Sequence, residues 1–269
     1  MVNLLLILFL SANSFAKVNS LFEWGLFLGH GNTADYPTSD EYRLRTIPVP
    51  YIRYRGEFLK SDDKDGTRLR LLSRENFDFD FSFGGSLPTE GDKNQARLGM
   101  PTLDWTLEAG PRLLYYFYRK PGVGLIRAGL PLRYSLATDF TRWAEVGYIL
   151  APTFQIDKYN FLTEDLDLYF ILDFNYYSRG EAAYFFQVDS QFATQQRRNF
   201  EARAGYLGYD LALAAKYEWH KANFILGSRY SDYSESVNRT SDLHKTNVNW
   251  TFFVGLGWLF FESDERGYE

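Results

Sequence analysis

The sequence contains no cysteine, which rules out a disulfide framework and any thiolate metal site. Histidine occurs only at His30, His220 and His244, and none stands in an H-E-x-x-H spacing or in close spacing with acidic residues that would build a metal centre. There is no G-x-S-x-G turn and no phosphate-binding glycine loop. No uninterrupted apolar run approaches the ~18 residues of a membrane-crossing helix, and the mean hydropathy of −0.33 is too polar for a helical membrane protein. Positive charge is not in excess either. Lys and Arg number 29 against 34 Asp and Glu, a net charge of −5 that argues against nucleic acid as a partner.

Aromatic residues are abundant instead, at 19%, with 20 Tyr and 24 Phe. They recur with a period of two, the signature of strands whose successive side chains point to opposite faces. In the stretch NWTFFVGLGWLFF, Trp250, Phe252, Val254, Leu256, Trp258 and Phe260 share one face, while Gly255 and Gly257 lie on the other. Phe77, Phe79, Phe81 and Phe83 alternate with Asp78, Asp80, Ser82 and Gly84, and Leu207, Tyr209, Leu211 and Leu213 alternate with Gly208, Asp210, Ala212 and Ala214. The non-aromatic face mixes Gly and Ala with Arg, Asp and Glu and holds almost no lysine. That composition fits a crowded, enclosed lumen better than an open solvent face.

Residues 1–16 read as a signal peptide. Leu4 to Leu10 is an apolar core and Ser14-Phe15-Ala16 a small-x-small cleavage site, although the segment before the core has no Lys or Arg. The remainder, 17–269, reads as a single domain exported to the bacterial envelope. Its joins alternate in length. Long ones fall at Gly31 to Glu41, Leu87 to Thr102, Ala137 to Arg142, Ser178 to Arg203 and Ser234 to Thr246; short ones at Lys60 to Gly66, Arg119 to Gly122, Asp157 to Glu164 and His220 to Ala222. Long loops on one side and tight turns on the other describe an antiparallel transmembrane β-barrel of the Gram-negative outer membrane, with lipid against its heavy face. About ten strands are expected, with eight or twelve as alternatives; twelve results if Thr67 to Phe83 forms two short strands. Pro111, Pro131 and Pro152 fall inside expected strands and require local breaks in the ladder.

The inward charges are the candidate functional residues. Arg53, Arg55, Arg68, Arg70, Arg112, Arg127 and Arg133 are expected to face Asp78, Asp80, Asp104, Glu108, Glu145 and Asp173. In so narrow a barrel they form either a structural plug of ion pairs or a charge-lined channel, and the plug is the leading reading. A serine hydrolase would need His30 or His244 beside Ser39 or Ser241 near the loop rim, a placement that ordinary polar loops explain equally well. No catalytic, metal or cofactor residue is therefore assigned.

Three stretches carry a resemblance: GNTADYPTSDEYRLRTIPVPYIRYRGEFL from Gly31, ARLGMPTLDWTLEAGPRL from Ala96, and the last strand. The specific positions are Asp35, Tyr36, Pro37, Ser39 and Asp40, then Arg97, Gly99, Met100, Pro101 and Asp104, then Gly110, Pro111 and Arg112. In these the chain resembles the MipA/OmpV family of outer-membrane proteins. The resemblance implies a non-enzymatic envelope barrel. One member is described as a scaffold joining a lytic transglycosylase to a murein synthase, others as adhesive surface proteins. The family has no catalytic signature to carry over. Such barrels often end on an aromatic residue, whereas this chain continues as ESDERGYE after Phe261. A peptidoglycan-enzyme scaffold is thus the expected function, with a narrow diffusion channel or a surface adhesin acting through its long loops as alternatives.

Overall fold

Alternation of large apolar and small or charged residues gives each strand one face for lipid and one for an interior, and the strands close on themselves. The computed structural model describes residues 20–265 apart from 56–58, 63–65, 70 and 71. The expected leader and Arg70 lie outside the described residues, as do the side chains of Arg53, Arg55 and Arg68.

Among the described residues, fourteen strand segments form one sheet. They are β1 (Phe22–Ala34), β2 (Tyr42–Arg55), β3 (Leu59–Asp62), β4 (Gly66–Leu69), β5 (Leu72–Ser73), β6 (Phe77–Ser86), β7 (Trp105–Lys120), β8 (Gly124–Thr138), β9 (Trp143–Leu150), β10 (Thr153–Lys158), β11 (Leu166–Tyr177), β12 (Gly205–Trp219), β13 (Ala222–Asp232) and β14 (Val248–Glu262). All pairings are antiparallel, and β14 returns to β1 with Gly29 opposite Gly255. The pairing path begins at β4 and ends at β5. Those two segments are consecutive in the chain, so the sheet is a barrel. Counting β4 with β5 and β9 with β10 as one pass each, the described residues make twelve passes, one of the expected alternatives.

The extra passes arise where the sequence is polar. Lys60 to Gly66, expected to be a turn, also supplies the end of β3 and the start of β4, which pair antiparallel with Asp62 opposite Gly66. Downstream, Arg74 N–H donates to the Phe77 carbonyl at 2.7 Å and reverses the chain between β5 and β6. The prolines gather at a gap in one wall. The β7–β8 register skips Gly110 and Pro111 between Ala109 and Arg112, and Pro152 separates β9 from β10.

Outside, the apolar side chains are sorted by depth. Leu28, Leu113, Leu130, Leu213, Leu226 and Val254 form an exposed aliphatic band. Toward the turn side it gives way to Trp24, Trp258, Phe260 and Trp219, and toward the loop side to Tyr42, Trp143, Tyr148, Tyr176 and Trp250, all exposed. Loop-side rings touch across strands, as in Tyr134–Tyr148 and Tyr230–Trp250, 5.1 and 5.0 Å between centroids. Aromatic girdles flanking an aliphatic belt match the two interfaces of a bilayer.

Inside β14, Gly255 and Gly257 make room for neighbouring rings. A Cβ on Gly255 would collide with the ring of Phe27, and one on Gly257 would stand 3.0 Å from Tyr51. Phe253 covers Gly227 of β13 in the same way.

Candidate functional site

Buried side chains occupy the lumen at two levels, with a chamber between them. The lower level lies toward the short turns. Leu114, Tyr116, Leu125 and Tyr159 pack together there, with Tyr169 against them. Beside them the Tyr116 hydroxyl donates to Asp78 at 3.1 Å, and the Arg119 guanidinium ion-pairs with the same carboxylate at 3.3 Å. Arg127 donates to the Gln155 side-chain oxygen at 2.8 Å, and Gln155 donates in turn to Asp157 at 2.8 Å. Across the barrel Lys216 meets Asp167 at 3.5 Å. Such pairing lets charges remain in a space that would reject them singly.

The upper level is a cap built from loops. Residues 178–204 fold inward around helix α1 (Arg179–Phe186), whose N-cap is Ser178. Ala182, Phe185 and Phe186 of α1 are buried against Tyr36, Leu103, Ala202, Leu207 and Tyr233, which come from five different segments. Leu207, expected to face lipid, belongs to this core. The β11–β12 register shifts between Asn175 and Tyr176, and the resulting bulge turns Leu207 inward.

The family-motif residues fasten this cap. Asp35 is 4% exposed; its carboxylate takes Arg43 Nε at 2.6 Å, Arg45 Nη2 at 3.3 Å and Asn94 Nδ2 at 3.0 Å. Tyr36 donates its hydroxyl to the Leu243 carbonyl at 2.9 Å. The Ser39 side chain accepts from Glu41 N–H at 3.1 Å, and the Ser39 carbonyl takes Asn249 Nδ2 at 2.7 Å. Arg97 is buried, donates to the Phe185 carbonyl at 3.1 Å and lies over the Tyr36 ring. Burial pulls its pKa down to about 10. Gly99 has φ of +75°, a conformation that favours glycine, in the turn closed by Met100 N–H on the Arg97 carbonyl. Pro101 gives its carbonyl to Arg97 at 3.4 Å. Pro37 is half-buried and Asp40 exposed in the first loop. Gly110, Pro111 and Arg112 lie in the barrel wall, where Arg112 grips Asp80 with contacts of 2.9 and 2.8 Å.

Between cap and floor lies a cavity of about 480 Å³. Its charged lining is Glu108, Arg112, Arg127, Arg133, Asp173, Asp210 and Arg229. Glu108 meets Arg133 at 3.2 Å, and Asp173 accepts from the Thr153 hydroxyl at 2.6 Å. Glu181 of α1 is buried in the cap. Burial, and then the facing Glu108 carboxylate, push its pKa up to about 7.

The structure thus brings Asp78, Asp80, Glu108, Arg112, Arg127, Arg133 and Asp173 to the lumen. Two expected members sit elsewhere. Glu145 is exposed on the outer surface, because the β8–β9 register shifts between Ser135 and Leu136 and the bulge at Val146 reverses the alternation. Asp104 precedes β7 at the rim, where its carbonyl accepts the Tyr184 hydroxyl at 3.0 Å. Sequence reasoning missed Glu181, Arg229 and the cap residues Arg197 and Asn249. Arg197 is buried, donating to the Ala96 and Leu98 carbonyls at 2.8 and 3.0 Å. Strand parity places Arg229 and Asn249 inside, whereas no periodicity marks the loop residues Glu181 and Arg197.

The serine–histidine pairs considered for catalysis are engaged separately. His30 bonds Thr46 and His244 bonds Asn247, while the Ser241 hydroxyl donates to the Phe186 carbonyl. Among the described residues no group of three His, Cys, Asp or Glu is arranged to hold a metal ion.

Girdles, belt and charged interior define an outer-membrane β-barrel with an occupied lumen. The chain belongs to the family described as MltA-interacting protein MipA, whose profile matches residues 26–260. No curated protein is significantly similar to it. Among solved structures it is similar to an outer membrane channel from Pseudomonas putida F1, at 8% identity, covering 93% of this chain and 99% of that one, with a TM-score of 0.48. It is also similar to a bacterial polysaccharide outer membrane secretin (8% identity, 92% and 100% covered, TM-score 0.42). The Ralstonia pickettii toluene transporter TbuX is a third (9% identity, 92% and 90% covered, TM-score 0.33).

Proposed function

We propose that this barrel is a non-enzymatic outer-membrane docking protein for a periplasmic lytic transglycosylase, and through it for a murein synthase, rather than an open pore. The observation that carries the reading is the lumen itself, occupied at two levels by buried side chains. The partner class comes from the family, which takes its name from interaction with MltA. Docking falls to the turn side, the side an outer-membrane barrel presents to the periplasm. There Leu162 projects, 85% exposed, with Glu164 and Asp165 exposed beside it. A protruding apolar residue rimmed by acids is the kind of anchor that a partner's pocket buries.

The test joins two measurements on the full chain. In planar bilayers it should pass no steady current. In detergent it should capture a purified lytic transglycosylase, and Leu162→Glu should weaken capture about tenfold, near 1.4 kcal/mol. Steady conductance without capture would replace docking by the diffusion-channel reading.

A further inference from the structure

The loop-side half of the chamber carries more negative than positive charge. Asp173 and Asp210 stand directly opposite each other across the β11–β12 ladder. Like charges in that relation repel, and a sheet tolerates them only with compensation. The compensation in place is partial. Asn175 donates to Asp210 Oδ2 at 2.9 Å, while Oδ1 of the same carboxylate is buried without a hydrogen-bond partner. Glu108 is the third acid of the lining. It has Arg133 at 3.2 Å as its partner. Three carboxylates of the lining therefore face two guanidiniums, Arg133 and Arg229. The two other arginines of the chamber are directed toward the floor, Arg112 onto Asp80 and Arg127 onto Gln155. Ser82 adds an independent sign of an unfilled site. It lines the cavity at 6% exposure, and its hydroxyl has no partner.

Buried acceptors without donors are costly, and a cationic group rich in N–H would both satisfy them and offset the excess negative charge. The cavity, about 480 Å³, is of the size that small-molecule sites occupy. We propose that the chamber is a binding site for a small organic amine cation, its ammonium held by Asp173 and Asp210. Arg229 competes with the ligand for this acidic pair. This site is independent of the docking role and stands or falls separately from it.

The experiment is calorimetric titration of the full-length barrel in detergent at neutral pH with 1,4-diaminobutane. Saturable binding that weakens with salt is expected. Asp210→Asn should lower the affinity at least about tenfold. Arg229→Gln should raise it several-fold, a gain that mere loosening of the lumen would not produce. Absence of saturable binding up to about 10 mM, a range that reaches even weak sites, would overturn the proposal. So would weakening by Arg229→Gln, or displacement by equimolar Mg²⁺, which would point to a metal ion instead.

Discussion

Arg112 and Asp80 face each other across the β6–β7 ladder, and the guanidinium holds both carboxylate oxygens. Asp80 is 1% exposed, so its charge depends on that grip. Arg112 and Glu108, four residues apart on one strand, do not pair with each other. Glu108 finds its partner in Arg133 on the next strand.

Removing the arginine should therefore strand a buried carboxylate, a change that typically costs about 3–5 kcal/mol. Arg112→Ala should lower the temperature at which the barrel loses its folded mobility on a gel, and bilayer current should stay near zero. The double variant Asp80→Asn with Arg112→Ala should recover part of the loss. A heat-resistant Arg112→Ala protein that conducts ions would instead support the channel.

Glu181 makes the cap sensitive to pH. Its pKa in the folded barrel is about 7, against 4.5 for the free side chain. The folded cap thus holds a proton that the opened cap releases between those values, and its stability falls as pH rises through the window. The full effect is on the order of 3 kcal/mol. Protease nicking of residues 178–204 should accelerate from pH 5 to pH 8 in the parent, and Glu181→Gln should flatten the profile. An unchanged profile in Glu181→Gln would assign the dependence to another group.

Gly255 is held to glycine by its neighbour across the seam. Since a Cβ there collides with the Phe27 ring, Gly255→Val should disturb the β1–β14 closure and cost about 1–3 kcal/mol as overpacking. Phe27→Ala in the same chain should relieve part of that cost. If the two substitutions add independently in an unfolding titration, the ring is not the reason for the glycine.

Much of the wall was readable because lipid and lumen impose opposite demands on alternate residues. The heavy face of β14 and the phenylalanines of β6 follow that rule without interruption. Glu145 and Leu207 escaped it for one reason. Each lies at a bulge, and one extra residue reverses the parity while leaving no mark in composition. β3 was hidden because Lys60 to Gly66 is as polar as a turn. The cap was less legible still. Arg97 reaches the Phe185 carbonyl across 88 positions of sequence, and no local pattern encodes such a meeting. Resemblance had marked Asp35 and Arg97 as distinctive, but only the fold reveals that both secure the cap.

Orientation can be tested with introduced thiols, since the chain has no cysteine of its own. Gln191 and Arg239 are exposed in the long loops, while Leu162 is exposed at a short turn. Outer-membrane barrels place long loops outside the cell and short turns in the periplasm. Gln191→Cys and Arg239→Cys should therefore react with a membrane-impermeant maleimide on intact cells, and Leu162→Cys only after the outer membrane is permeabilised. Both loop sites matter, because their two loops join in the cap: Arg198 of one meets Asp242 of the other at 2.9 Å. Labelling of Leu162→Cys on intact cells, with the loop sites silent, would invert the barrel and remove the docking face from the periplasm.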